Sequence, residues 1–305
     1  MSTFDVTPER EASLLSYFHR QLTYTPPPVT SPNLTSETAI ITGSNTGLGL
    51  ELASQLLDLG ITKLILAVRS PAKGAQAASH LLKSRPSLAP SAIEVWPLDL
   101  SSYDSIASFI QRTKTLSRID VLVNNAGFVS AAQSHNSSTG HDDLIQVNYL
   151  SQAILTLLIL PVLKSKHNPS DGPVKVVFTS SDAAAWTLFH ERTAPNLLAE
   201  LDKPVKGDMS DRYFVSKLLM QLFVVELAKR VDTSWVVVNM ATPGMCRTDL
   251  NREHHGTVWG YFFNFVQLFV AYSGNVGARM LTAAVVAGEE THGGYLGLGR
   301  RQLKP

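Results

Sequence analysis

Thr42-Gly43-Ser44-Asn45-Thr46-Gly47-Leu48-Gly49 joins a short β-rich run to a segment with helical periodicity, and its glycines decide how the chain folds there. Gly43 allows a tight turn, Gly47 lets the backbone approach a pyrophosphate, and Gly49 lets the helix pack against the strand. The helix N-terminus offers unpaired N–H groups and the positive end of its dipole to phosphates. This spacing between a strand and a helix predicts a dinucleotide site, with a purely structural turn as the alternative.

The rest of the chain repeats this alternation of strand and helix. The pattern predicts six strands, at residues 39–42, 64–68, 93–98, 121–123, 174–179 and 235–240, with helices over 50–59, 72–83, 101–116, 142–163 and 213–231. Repeated βα units predict a parallel sheet covered by helices on both faces. Right-handed crossovers make this a doubly wound, Rossmann-like α/β fold. Ligands of such folds bind at the carboxyl ends of the strands, where the motifs described below lie.

Composition and charge exclude several other classes of protein. Of the 305 residues, 44% are hydrophobic and 17% charged, which excludes wholesale disorder. The net charge of +1 gives no global reason to bind nucleic acid, so no such partner is expected. The single cysteine cannot form an internal disulfide, and the histidines lack metal-ligand spacing. We therefore predict a cytoplasmic protein without a metal site.

The first 38 residues are predicted to be an N-terminal extension that either packs on the main domain or extends away from it. Residues 9–22 favour a short amphipathic helix. Pro26-Pro27-Pro28 and Pro32 exclude a helix or a central strand from residues 23–38. Residues 39–305 are then expected to form one dinucleotide-binding domain.

The residue after the second strand distinguishes NAD from NADP. NAD enzymes place an acid about 20 residues after the last glycine of the turn, where it holds the ribose 2′-hydroxyl. Counting from Gly49 reaches Arg69, which can pair with a 2′-phosphate and stack on adenine. Lys73 adds a second cation. The cofactor is therefore predicted to be NADP(H), and a surface arginine at a strand end is the alternative.

Asp99 follows the third strand directly. Its carboxylate is placed to accept the adenine amino group, or to cap a helix that starts at Ser101. Both interpretations stay open from the sequence.

Tyr213 and Lys217 are separated by four positions on a predicted helix and so share one face. A free tyrosine has a pKa near 10, too high for acid–base work at neutral pH, and a nearby ammonium favours the phenolate. Tyr-x-x-x-Lys pairs are common on solvated helices. The pair becomes informative because it follows a pyrophosphate turn in a parallel sheet.

With these elements in place, the sequence resembles the short-chain dehydrogenase/reductase family across residues 39–250. The matching motifs occur in the family's order, and they are Thr42–Gly49, Asn124-Asn125-Ala126-Gly127, Asn148, Ser180-Ser181, Tyr213-x-x-x-Lys217 and Pro243-Gly244. The sequence is most similar to retinol-dehydrogenase-like members and to fungal reductases of secondary metabolism.

The resemblance implies four catalytic residues. Tyr213 would be the general acid in reduction, or the base in oxidation. Lys217 would lower the pKa of Tyr213 and hold the nicotinamide ribose hydroxyls. Ser181, preferred to Ser180, would hydrogen-bond the substrate oxygen, and Asn148 would support a proton-relay water. The turn motif and the resemblance together assign cofactor contacts to Gly43, Asn45, Gly47, Leu48, Gly49, Arg69, Lys73, Asp99, Asn125, Gly127, Tyr213, Lys217, Pro243, Gly244 and Thr248.

Two segments and one residue depart from the common pattern. The interval between Ser181 and Tyr213 is long, and the insert at about residues 186–212 is expected to shape the substrate entrance. Cys246 lacks a paired base pattern and is expected to pack near the cofactor rather than act as a nucleophile. Residues 251–272 would cover the substrate, and their aromatic side chains favour a lipophilic carbonyl compound. A subunit contact or a core helix is the alternative for that segment.

The expected function is therefore an NADP(H)-dependent oxidoreductase that reduces a ketone or aldehyde of a lipophilic, secondary-metabolite-like small molecule. The family forms homodimers or homotetramers. The apolar run at residues 258–272 is shorter than the roughly 20 residues of a spanning helix, so membrane association is not expected. Two alternatives are a membrane-associated retinoid or lipid dehydrogenase and a catalytically silent NADP-binding regulator.

Overall fold

Parallel strands with helices on both faces form the centre of the molecule. The computed structural model describes residues 8–205, 209–247 and 269–299. Within these residues the strands are β1 (Thr38–Thr42), β2 (Lys63–Val68), β3 (Ile93–Pro97), β4 (Val121–Asn124), β5 (Val174–Thr179), β6 (Val236–Ala241) and β7 (Tyr295–Leu296). They pair in the order β3-β2-β1-β4-β5-β6-β7, and every pairing is parallel. The doubly wound α/β fold predicted from the sequence is confirmed.

The helices follow the strands along the chain. They are α1 (Pro8–Ala12), α2 (Leu14–Thr23), α3 (Gly47–Asp58), α4 (Pro71–Lys83), α5 (Tyr103–Thr113), α6 (Asp143–Ile145), α7 (Ser151–Lys166), α8 (Leu197–Leu201), α9 (Ser210–Ala228) and α10 (Gly274–Val286). A π-helical turn, Gln146–Leu150, joins α6 to α7. Short 3₁₀ turns lie at Pro90–Ala92, Pro169–Asp171, Asp182–Trp186, His190–Thr193 and Glu289–Thr291.

The core lies in two layers, one on each face of the sheet. On one face α5, α7 and α9 pack against the strands, and on the other face α3, α4 and α10 do so. The inner strands are buried on both faces, which is why they read as continuous Val, Ile and Ala runs rather than as an alternating pattern. This burial keeps the carboxyl edge of the sheet rigid beneath the candidate site.

The six predicted strands are confirmed with boundary shifts of about one residue. The sequence analysis missed β7, which at two residues has no periodicity to detect, and it also missed the helix α10. The helix predicted over residues 9–22 is divided at Ser13, whose side chain accepts a hydrogen bond from Ser16 N and caps α2.

The N-terminal extension packs on the main domain. Tyr17 and Gln21 of α2 are buried. Beyond α2, the Pro26 carbonyl accepts a hydrogen bond of 3.0 Å from Arg279 Nη1 on α10. Residues 24–37 contain neither helix nor strand, as the prolines predicted.

One helical stretch among the described residues, Asp143–Lys166, is long and apolar enough to cross a membrane by length and composition. Most of it is buried inside the domain. Leu155, Ile159 and Leu163 pack in the core layer of α7 and are fully buried.

The carboxyl ends of three strands are tied together by one side chain. Asn125, directly after β4, donates from Nδ2 to the carbonyls of Thr42 (3.0 Å) and Gly43 (3.3 Å). Its Oδ1 accepts from Thr179 Oγ1 on β5 at 3.2 Å. The Thr42 hydroxyl in turn accepts from the N–H groups of Asn125 and Ala126. The node formed by Thr42, Asn125 and Thr179 therefore fixes β1, β4 and β5 relative to each other.

We predict that Asn125→Asp destabilises the protein by about 3 kcal/mol, because a carboxylate has no N–H to donate and would face two carbonyl oxygens. Urea unfolding followed by circular dichroism measures the loss. Asn33→Asp is the matched control, since the exposed Asn33 only accepts hydrogen bonds through Oδ1, from Thr35, and aspartate retains that ability. An equal effect of the two substitutions would contradict the role of the Asn125 amide.

Candidate functional site

The turn between β1 and α3 has the geometry of a phosphate cradle. Gly43 and Gly47 have φ of +64° and +56°, which L side chains rarely adopt. A Cβ at Gly49 would lie 2.5 Å from Asn125 Nδ2 and 2.6 Å from the Gly43 carbonyl, so α3 approaches the turn closely only with glycine there. The helix α3 begins at Gly47, directly after this turn, and the backbone N–H groups of a helix N-terminus suit a phosphate.

Asn45 lies in this turn and Leu48 in the first turn of α3, and both are half-exposed. They border the cradle, as the predicted contact with the cofactor requires.

The two predicted cations lie at the end of β2. Arg69 follows the strand directly and is exposed, and Lys73 is exposed in the first turn of α4. Ser70 between them caps α4 by accepting from Lys73 N. Arg69 is thus placed beyond a rigid strand end, on the same edge of the sheet as the glycine turn.

Asp99 follows β3 and is half-buried. Its Oδ1 accepts from Ser101 N at 2.9 Å, and its backbone N–H donates to Ser105 Oγ. The cap of α5 is Ser102, not Asp99. The Asp99 carboxylate therefore stabilises the loop before α5 through its hydrogen bond from Ser101 N. It does not cap the helix itself, which begins two residues later at Tyr103.

Tyr213 and Ser181 meet at the carboxyl edge of β5. Burial raises the pKa of Tyr213 to about 12, and a side-chain hydrogen bond with Ser181 opposes part of that rise. Ser180 is buried instead, where its hydroxyl accepts from Gln221 Nε2 at 2.8 Å. Gln221 also donates to the Ser181 carbonyl. The structure thus places Ser181, and not Ser180, beside the tyrosine.

Lys217 lies one turn further along α9 and is buried. Its Nζ donates to the Thr179 carbonyl at 3.1 Å and lies 5.9 Å from the centre of the Tyr213 ring. Burial lowers the pKa of Lys217 to about 8. The sequence predicts that this ammonium lowers the pKa of Tyr213; the largest influence on that pKa in the folded chain is burial of the phenol, which raises it.

Asn148 lies in the π-helical turn between α6 and α7, where it reaches both neighbouring segments. Its Oδ1 accepts from Phe128 N (3.0 Å), and its Nδ2 donates to the Phe128 carbonyl (2.9 Å) and to Ser216 Oγ (3.2 Å). Both N–H groups of the amide are therefore used within the protein. A Cβ at Gly127 would lie 3.1 Å from Asn148 Oδ1 and 3.7 Å from Lys217 Nζ, so these three residues converge.

The turn after β6 carries Pro243 and Gly244, and Gly244 has φ of +69°. Cys246 follows, with its thiol directed at the Pro243 carbonyl at 3.3 Å. Burial raises the pKa of Cys246 to about 12, so the reactive thiolate is not formed at neutral pH. Thr248 lies outside the described residues. So do residues 251–268 of the predicted substrate-covering segment, which include His254 and His255.

The insert between Ser181 and Tyr213 packs beside α9. Leu201 of α8 is fully buried against Val215 and Leu219 of α9. Arg212 is also buried, with Nη1 3.2 Å from a Glu191 carboxylate oxygen and Nε 3.8 Å from one of Asp142. These ion pairs tie the insert to the start of α6.

Sequence reasoning missed several residues that support the site. Thr42 and Thr179 belong to the node, Gln221 holds the two serines, and Gln21 contacts the turn after β6. Their partners are distant in sequence, so no local spacing could identify them. No group of three His, Cys, Asp or Glu side chains in the described part of the chain could hold a metal ion.

Comparison with known proteins agrees with this geometry. A family model for short chain dehydrogenases matches residues 37–192. The short-chain dehydrogenase fogG of Aspergillus ruber is 46% identical over 302 residues, which cover 96% of this chain and 86% of that protein.

Two solved structures share the fold. The RhlG/NADP active-site complex of Pseudomonas aeruginosa has a TM-score of 0.65 at 22% identity, covering 89% of this chain and 97% of that one. A short chain dehydrogenase/reductase of Burkholderia phymatum in complex with NAD has a TM-score of 0.62 at 15% identity, covering 88% and 91%. One structure holds NADP and the other NAD, so this likeness does not choose between the cofactors.

We predict that Lys217 makes stability depend on pH. Its pKa is about 8 in the folded chain and 10.5 ordinarily, so the unfolded chain binds more protons between these values. The free energy of unfolding of the wild type, relative to Lys217→Met, should therefore rise by about 2 kcal/mol between pH 8 and 10. Urea unfolding at several pH values measures the difference. A constant difference across this range would show that the lysine pKa is not lowered.

Proposed function

The chain belongs to the short-chain dehydrogenase family, and from that premise we propose that it is an NADP(H)-dependent reductase of a ketone or aldehyde in a lipophilic small molecule. The observation that carries the proposal is the juxtaposition of Tyr213, Ser181 and Lys217 at the carboxyl edge of β5, beside the glycine turn. This arrangement can hold a carbonyl oxygen and deliver a proton to it.

The residues present fit a nicotinamide dinucleotide. The glycine turn and the first turn of α3 offer backbone N–H groups to the pyrophosphate. Arg69 supports NADP(H), because its exposed guanidinium occupies the position where an NAD enzyme carries an acid. Lys217 and Asn125 would contact the ribose on the nicotinamide side. The bound cofactor supplies the hydride, and the chain's own residues bind and orient the reactants and transfer the proton.

In this proposal Tyr213 donates the proton to the substrate carbonyl oxygen. With a pKa of about 12 the phenol stays protonated at neutral pH, which is the form that reduction requires. The hydroxyls of Tyr213 and Ser181 would both donate to the substrate oxygen and stabilise negative charge as it develops there. Ser181 is oriented for this by Gln221, which holds its carbonyl.

Aromatic side chains beside Tyr213 support a lipophilic substrate. Phe214 contacts the Tyr213 ring at 6.2 Å between centroids, and Trp186 of the insert contacts Phe214 at 6.0 Å. Leu188 of the insert is 65% exposed. Apolar surface of this kind next to a proton donor favours a bulky apolar carbonyl compound, such as a secondary metabolite.

Tyr213→Phe should lower turnover at least about 100-fold while NADPH affinity is retained, because only the proton donor is removed. NADPH oxidation with a panel of aromatic and alicyclic ketones measures turnover, and fluorescence titration measures affinity. Tyr103→Phe, at an exposed tyrosine on α5, is the matched control. Retained turnover would refute the role of Tyr213. A wild-type protein that binds NADPH and reduces no ketone of the panel would favour the silent regulator instead.

Arg69→Ala should weaken NADPH binding about tenfold or more and leave NADH binding unchanged, because only NADPH carries the 2′-phosphate. Dissociation constants for both cofactors test this. Arg230→Ala, which removes an exposed arginine at the far end of α9, is the control. A wild-type kcat/KM with NADH equal to or above that with NADPH would overturn the proposed cofactor preference.

A further inference from the structure

Two consecutive residues of α2, Arg20 and Gln21, reach the connections that leave the carboxyl edge of the sheet. Arg20 approaches the turn after β5, and Gln21 approaches the turn after β6. Both turns border the proposed site, yet α2 belongs to the N-terminal extension, before the first strand. The extension therefore contacts the site from outside the βα repeat.

The side-chain amide of Gln21 forms two hydrogen bonds with the backbone of Met245 in the turn after β6, as the backbone of a neighbouring strand would. Its Oε1 accepts from Met245 N at 2.9 Å, and its Nε2 donates to the Met245 carbonyl at 3.1 Å. The same Nε2 donates to the Val270 carbonyl at 3.0 Å. Gln21 is only 2% exposed. The two hydrogen bonds to Met245, made by a buried side chain, restrain this turn more than one contact at the surface would, and the third ties the same side chain to Val270.

The side chain of Gln21 packs so closely on the turn that only glycine fits at position 244. Gly244 has φ of +69°, and a Cβ on it would lie 2.6 Å from Gln21 Oε1. The Met245 carbonyl also accepts from Tyr272 N, so the turn is held from two directions. Within the described residues, Gln21 is the acceptor that the structure provides for the Met245 N–H. Without it a shielded donor is unpaired, and the turn is expected to shift.

Arg20 adds a second anchor next to the catalytic serine. Its Nη2 lies 3.9 Å from Asp182 Oδ1, and the buried Asp182 accepts from Thr242 Oγ1 at 2.7 Å. One turn earlier on α2, the Tyr17 ring contacts Trp186 at 5.0 Å between centroids. The position of α2 is therefore set independently of Gln21.

We infer that Gln21 is a positioning residue, which holds the Pro243–Met245 turn in the conformation that receives the nicotinamide end of the cofactor. The inference rests on the proposed function and on the family resemblance, which implies that Pro243 and Gly244 lie at the nicotinamide end of the cofactor. Through Gln21 the N-terminal extension then contributes to cofactor binding at the site. Gln21 itself touches neither cofactor nor substrate in this assignment and acts through the turn.

The test uses Gln21→Met in the full-length chain, because methionine keeps the volume of the side chain and removes all three hydrogen bonds. NADPH should bind about tenfold more weakly, with KM for NADPH raised more than kcat is lowered. The affinity for 2′,5′-ADP, which lacks the nicotinamide half, should be unchanged. Leu15→Ala is the control, since Leu15 lies on the same helix and is 84% exposed. It should alter none of these values.

Hydrogen exchange of the cofactor-free protein gives a readout independent of binding. Gln21→Met should speed exchange of the Met245 amide and leave the amides of β5 unchanged. If Gln21→Met does not fold, Gln21→Glu is measured instead, because it keeps the acceptor for Met245 N and loses both donated bonds. NADPH affinity is expected to fall there as well, because a carboxylate would face the Met245 and Val270 carbonyls, while the Met245 amide keeps its acceptor.

Two outcomes would overturn the inference. One is an unchanged NADPH affinity with unchanged exchange at Met245. The other is a parallel loss of NADPH and 2′,5′-ADP affinity, which would indicate general damage. A wild-type protein that binds neither nucleotide would refute the proposed cofactor, whereas the exchange measurement would still decide whether Gln21 holds the turn.

Discussion

The hydrogen bonds of one amide side chain hold the geometry on which the candidate site depends. Asn125 joins the end of β1, through the Thr42 and Gly43 carbonyls, to the end of β5, through Thr179. The first end leads into the glycine turn, and the second leads into Ser181. Lys217 uses the carbonyl of the same Thr179, so α9 is aligned to the node as well. An amide suits this position because it donates and accepts at once.

Burial then sets the chemical character of the groups that the node aligns. The pKa of Lys217 is lowered and that of Tyr213 is raised, both because a charged form loses hydration inside the protein. Tyr213 is therefore kept as a phenol, which can give a proton to a carbonyl oxygen. Cys246, by the same physical cause, is kept as an unreactive thiol. The same burial thus keeps Tyr213 and Cys246 protonated at neutral pH.

The parts of this chain that depart from the plain βα repeat surround the site. Trp186 of the insert lies between Tyr17 of the extension and Phe214 of α9, with ring centroids 5.0 and 6.0 Å away. Aromatic contacts thus run continuously from α2 to the residue beside Tyr213. The extension and the insert therefore pack against each other beside Tyr213.

The sequence by itself determined the fold class, because the hydrophobic periods of strands and helices and the positions of glycines can be recognised within short stretches of the chain. It also located Tyr213 and Lys217 on one helix face, since their spacing is local too. Only the tertiary structure decided between Ser180 and Ser181, since both have the same chemistry and differ in what packs on them. The direction of the Tyr213 pKa shift depended on burial, which spacing cannot measure. Gln21 meets Met245 across 224 positions, and no pattern within either segment predicts that contact.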